Sequence, residues 1–190
     1  MLSLIAGLIL FLGTHTLTTF RATRAALISR LGLGRFKTAY SALSAAGLIL
    51  IVIGFSHYRH GGWVQVWFPP VWLRHVTYFL MWLAFVSLAC MNPSPGRIRG
   101  WLRHPMLAAV KFWALAHLLA NGDLGGIILF GAFLAWAVFD RIAVKKRGDL
   151  GAPRIPAFTV TDFQAIGIGS VAFIAMIFLH PYLIGVSVLG

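Results

Sequence analysis

The sequence predicts an all-α fold, a polytopic membrane helical bundle of about six transmembrane helices, and three observations carry that prediction. Hydrophobic residues make up 59% of the chain and charged residues 11%, so most of its surface must face something other than water. Six apolar runs of roughly bilayer-crossing length occur, near residues 2–20, 38–56, 73–92, 105–120, 124–144 and 163–184. Lysine and arginine are concentrated in alternate connections between those runs. A net charge of +12 would suggest nucleic acid for a soluble chain. Interleaved with apolar segments it reads instead as a topology signal, so the expected partner is the lipid bilayer and no nucleic acid.

The first run, MLSLIAGLILFLGTHTLTTF, has no basic residues before its apolar part and is followed by arginines, which reads as a retained helix and not a cleaved signal peptide. The connection after it holds Arg21, Arg24, Arg30, Arg35 and Lys37. The third connection holds Arg97, Arg99 and Arg103, and the fifth Arg141, Lys145, Lys146, Arg147 and Arg154. These are 13 of the 16 Lys and Arg residues, whereas the second and fourth connections carry only Arg59 and Arg74. The positive-inside rule therefore places both termini outside the cytoplasm.

The second connection, HYRHGGWVQVWFPPVWLRH, contains three tryptophans and a Pro-Pro break, suited to an aromatic belt at the interface or to a lid over a pocket. Runs four and five are joined by NGDLG, whose Asn-Gly chemistry predicts a tight turn between antiparallel helices. The stretch KKRGDLGAPRIP before the last run is polar and marked by Pro and Gly. No internal repeat appears, and one membrane domain, residues 1–190, accounts for the chain. The single cysteine, Cys90, forms no intramolecular disulfide, and no CxxC or CxxCH stretch offers thiolate metal binding or covalent haem attachment.

Seven histidines in so apolar a chain are sorted by depth. His57, His60 and His75 fall at the outer interface, and His180 in HPY falls near the outer end of the last run. His15 stands six residues before Arg21, about 9 to 14 Å inside the inner boundary at a rise of about 1.5 Å per residue. His104 lies at the inner edge beside Arg103. His117, thirteen residues further along the same helix, lies about 20 Å deeper, so those two cannot share one metal. The depth gap from His15 to His117 is about 6 to 11 Å and to His104 about 9 to 14 Å the other way. A deep histidine pair on separate helices can hold haem b by its two axial faces, or can hydrogen-bond helices together. The residues leave both readings open.

Around His117 stand Trp113, Ala114, Ala120 and Asn121, small or aromatic side chains that admit a flat ring. Gly13, Thr14, Thr18 and Thr19 flank His15, where a hydroxyl could orient an imidazole. Arg103 precedes His104 and Pro105 at a helix start and suits a haem propionate, a lipid phosphate or plain snorkelling. Lys111, inside a span, requires a partner, a propionate or a watered cavity. Asn121 and Asp123 suit a turn, and Asp140 beside Arg141 reads as an interfacial ion pair worth under about 1 kcal/mol. Small-residue stretches at Gly167, Gly169 and Ser170, and at residues 122–126, serve helix contacts within one chain or in a homo-oligomer.

The stretch RHPMLAAVKFWALAHLLANGDLGGIILFGAFLAWAVFDR, together with His15 in FLGTHTL, resembles the NnrU family of bacterial membrane proteins, which is related to the plant zeta-carotene cis-trans isomerase. The resemblance is strongest over residues 1–150. It implies a multi-pass protein of the bacterial inner membrane, with N- and C-termini periplasmic under the charge rule. It also implies haem b bound through histidine and an association with denitrification, where nitrite or nitric oxide reductase systems are the partners. Carried over by position, His15 and His117 correspond to the axial iron ligands and His104 to the third family histidine. The plant enzyme has a cysteine three residues before the histidine that matches His117. Ala114 stands there in this chain, so a cysteine-to-histidine ligand exchange does not transfer.

RHPM is also similar to the RHP motif of membrane isoprenylcysteine methyltransferases, but over only those residues and without an acidic residue close behind. Three functions follow as expectations: a haem-b protein supporting nitrogen-oxide metabolism, a haem-dependent cis-trans isomerase of a hydrophobic polyene or isoprenoid, and an S-adenosylmethionine methyltransferase.

Overall fold

The computed structural model describes residues 1–92 and 94–189. Among these residues the regular structure is helical, apart from one isolated antiparallel bridge between Gln65 and Asp123. Helices α1 (Leu2–Thr19), α3 (Leu33–Gly61), α4 (Leu73–Ala89), α6 (Pro105–Ala120), α7 (Leu124–Lys146) and α8 (Val160–Ile184) take up the six expected runs. Two further helices, α2 (Arg21–Leu31) and α5 (Arg97–Leu102), lie in connections expected to be irregular. Arg21–Leu31 is rich in Ala, Leu and Arg, which favour helix even without a buried face. Gly32, at φ 78° and ψ 153°, separates α2 from α3 in a backbone region that essentially only glycine enters.

Helices α1, α3, α7 and α8 are long and apolar enough to cross a membrane, while α4 and α6, at 17 and 16 residues, are shorter apolar helices. Large side chains lie bare along them, among them Ile9, Val52, Val171 and Phe178. Water would not tolerate such a surface, but hydrocarbon does.

The chain packs as two compact units. Residues 1–69 and 121–144 form the first, and residues 70–120 and 145–190 the second. In the first, α1 and α3 cross antiparallel with backbones in contact. A Cβ on Gly54 would lie 2.3 Å from the Leu4 nitrogen, one on Gly47 2.7 Å from that of Phe11, and one on Gly7 2.6 Å from that of Ile51. This is small-residue packing of the kind membranes favour, since close van der Waals approach replaces a hydrophobic driving force.

Helix α7 runs parallel to α1, and three rungs fix their register. The Phe11 and Phe133 rings lie 5.7 Å apart and those of His15 and Trp136 5.9 Å apart, while Thr19 Oγ1 donates to Asp140 Oδ1 at 2.7 Å. The last rung replaces the expected Asp140–Arg141 pair. Consecutive helical residues point about 100° apart, and Asp140 is the one on the α1 side.

The turn between α6 and α7 is short, as expected, but its hydrogen bonds run to the tryptophan-rich connection. Val66 and Trp67 donate from their backbone nitrogens to Gly122 O, and Leu124 N donates to Val64 O. Tyr58, buried at the end of α3, donates to Val64 O and accepts from Val64 N, and Gly125 packs flush on its ring. Asp123 caps α7 by accepting from Gly126 N at 2.7 Å. The connection is thus pinned to a turn of its own unit.

In the second unit α4 packs on both α6 and α8. Thr77 Oγ1 donates to Ala116 O, Trp82 Nε1 donates to Ser170 Oγ at 2.9 Å, and Gly169 meets the Val86 backbone. Asp162 caps two helices at once. It completes a capping box with Thr159 at the start of α8 and accepts from the Arg97 and Ile98 nitrogens, the first of α5, at 2.9 and 2.7 Å.

Candidate functional site

His15 lies in the first unit and is partly buried among aromatic rings: Phe11 at 4.2 Å, Tyr40 at 5.6 Å and Trp136 edge-on at 5.9 Å between centroids. Its Nδ1 is 2.8 Å from the carbonyl oxygen of Phe11, one turn earlier. A carbonyl only accepts, so Nδ1 carries the proton and Nε2 carries the lone pair. The neighbouring threonines do not orient the ring. Thr14, Thr16 and Thr18 donate to the carbonyls of Leu10, Leu12 and His15, and Thr19 is taken by Asp140. Trp136 Nε1 is buried and has no hydrogen-bond partner among the described residues, and the same holds for Nη1 of Arg141 further along α7.

His117 lies in the second unit on α6 and repeats the local geometry. Its Nδ1 is 2.9 Å from the carbonyl oxygen of Trp113, whose ring lies 5.3 Å away, so Nε2 again holds the lone pair. Ala114 and Ala116 beside it are fully buried. An imidazole whose Nδ1–H is held by a backbone carbonyl is oriented and made more basic for a metal at Nε2. Helical histidines adopt this bond elsewhere, as exposed His60 does with Ser56 O. What sets His15 and His117 apart is placement inside apolar helices.

The RHP residues form a different structure. Arg103 ends α5 at φ 62° and ψ −50°, and His104 N donates to Leu102 O at 2.6 Å, a strained three-residue turn. The 150–152 segment holds it there. Ala152 N donates to Arg103 O at 2.8 Å, and Arg103 Nη1 donates to the Ala152 and Leu150 carbonyls at 3.2 and 3.4 Å. Gly151, at φ 66°, packs so closely that a Cβ would lie 2.3 Å from Arg103 O and 2.7 Å from His104 Nε2. His104 Nε2 is buried and without a hydrogen-bond partner among the described residues. Arg103 therefore serves the backbone of the last connection.

Lys111 and Trp113 are partly buried on α6, and Asn121 belongs to the turn in the first unit. The second unit also holds an apolar cavity of about 250 Å³ between α4 and α6, lined by Met81, Ala84, Phe85, Leu88, Ala109, Val110 and Trp113. No three His, Cys, Asp or Glu side chains gather among the described residues as a protein-only metal site would need. Each imidazole, taken within its own unit, has the Nε2 donor chemistry that a haem iron accepts.

Sequence reasoning passed over Tyr40, Trp136 and Gly151. Nothing in an apolar run tells which indole faces a histidine on another helix. Gly151 could have been suspected from its place in a polar Gly/Pro stretch.

Apolar helices in contact through glycine, with imidazoles set into them, define a multi-pass helical membrane protein. The chain belongs to the NnrU family: the family described as NnrU protein matches residues 3–188, taking in α8 as well as the region of strongest resemblance. No curated protein and no solved structure matches it.

Proposed function

We propose that this chain is a haem-b protein of the bacterial inner membrane that supports nitrogen-oxide metabolism, with His15 and His117 as the residues that would hold the iron and both termini in the periplasm. The observation that carries this reading is the shared state of the two part-buried imidazoles, each with Nδ1 tied to the carbonyl four residues earlier, which puts the ring lone pair on Nε2. The bundle's own residues orient the rings and exclude water, and the haem supplies redox and small-ligand chemistry. Membership of a family associated with denitrification supports the pathway. The partner is then a nitrite or nitric oxide reductase system.

A second reading, a haem-dependent isomerase of a hydrophobic polyene, is favoured by the apolar cavity that Trp113 lines one turn from His117. Its test is a cis-polyene supplied to the reduced protein and followed by its absorption spectrum.

The haem content of purified variants tests the ligand assignment. His15→Ala and His117→Ala should each lose most bound haem, while His60→Ala, which removes the same local hydrogen bond at an exposed position, should retain it. Equal retention in all three contradicts the assignment.

A further inference from the structure

The buried indole nitrogen of Trp136 has no hydrogen-bond partner among the described residues, and that raises a question. An N–H withdrawn from water without an acceptor loses its hydration and gains nothing, and native proteins rarely leave one so. Trp136 Nε1 is in that state, with its ring edge-on to His15 and its helix held in register by the Phe11–Phe133 contact and the Thr19–Asp140 hydrogen bond on either side. The indole stands on the rung of the α1–α7 ladder that carries the imidazole. Its placement is therefore set by the same packing that sets the ligand.

We propose that Trp136 is a positioning residue for haem, its Nε1–H donating to a propionate carboxylate of the porphyrin that His15 ligates. The inference rests on the haem reading above. It commits to the propionate because, once iron occupies the pyrrole nitrogens, the carboxylates are the hydrogen-bond acceptors that haem b carries. An acceptor with full negative charge also gives the stronger class of hydrogen bond, the kind that compensates a buried donor.

The test uses full-length apoprotein in detergent, titrated with hemin and with iron octaethylporphyrin, which has no carboxylates. Trp136→Phe keeps the aromatic body and removes the donor. Hemin should bind about 10- to 100-fold more weakly to this variant, while octaethylporphyrin affinity stays the same. Thermal unfolding gives a second readout: the apo variant should melt at or above the wild-type temperature, since a stranded donor has gone, and the hemin-loaded variant below it. Unchanged hemin affinity overturns the proposal, and so does an equal loss for both porphyrins or an equal drop in both melting temperatures, each of which marks a packing role alone. The wild-type protein gives a reading that needs no variant, because hemin should bind more tightly than octaethylporphyrin, and equal affinity contradicts the inference. If His15→Ala binds hemin as wild type does, the ligand reading itself fails, a result distinct from a failure at Trp136.

Discussion

At the scale of single residues, Asp162 ties together the starts of two helices in the second unit. Its carboxylate, buried at the start of α8, accepts from Thr159, Arg97 and Ile98 and so satisfies donors at the heads of two helices. Asp162→Ala should lower stability by about 2 to 4 kcal/mol, more than a single cap, because backbone donors of both helices are then stranded. A melting temperature in detergent equal to wild type would contradict this. Sequence reasoning passed over the residue, although Thr159-Val-Thr-Asp162 before an apolar run has the spacing of a capping box. Its second role, at α5, depends on a contact 65 residues away along the chain and leaves no local trace. The same limit hid Trp136, whereas His15 and His117 stood out because an imidazole in an apolar run is rare by itself.

At the scale of elements, the α1–α3 crossing and the latch on the RHP turn are decided by glycines. Gly54→Leu would drive a side chain into the Leu4 backbone, where no flexible group can yield, and should cost well over the roughly 1 to 3 kcal/mol typical of overpacking. Monodisperse protein in wild-type yield from that variant would count against the crossing. Gly151→Ala should release the 150–152 segment from Arg103, since both its positive φ and its contact with Arg103 O oppose a Cβ. Proteolysis between residues 147 and 156 is the measurement, and unchanged protection would refute the latch. The six apolar helices were readable from run length and charge alone. Helices α2 and α5 were not, because each lacks an apolar stripe and α5, at six residues, owes its start to Asp162.

At the scale of the whole molecule, composition settled the solvent: a chain with 59% hydrophobic residues and, among its described residues, four helices long and apolar enough to span is built for a bilayer. The charge pattern adds an orientation, which cysteine labelling can check on intact cells. In a Cys90→Ala background, Ser187→Cys should react with an impermeant maleimide from outside and Lys37→Cys should not, and the reverse pattern would invert the topology. The parallel run of α1 and α7 agrees with spans one and five entering from the same side. What the sequence could not convey is which faces of the six helices meet, since lipid and protein neighbours ask for the same apolar side chains. The account turns on iron held by two imidazoles, and the absorption spectrum of the wild-type protein purified in mild detergent from haem-replete cells measures that most directly. A Soret band with sharp α and β bands on reduction, as a six-coordinate bis-histidine haem gives, is the predicted result, and a colourless protein would contradict it.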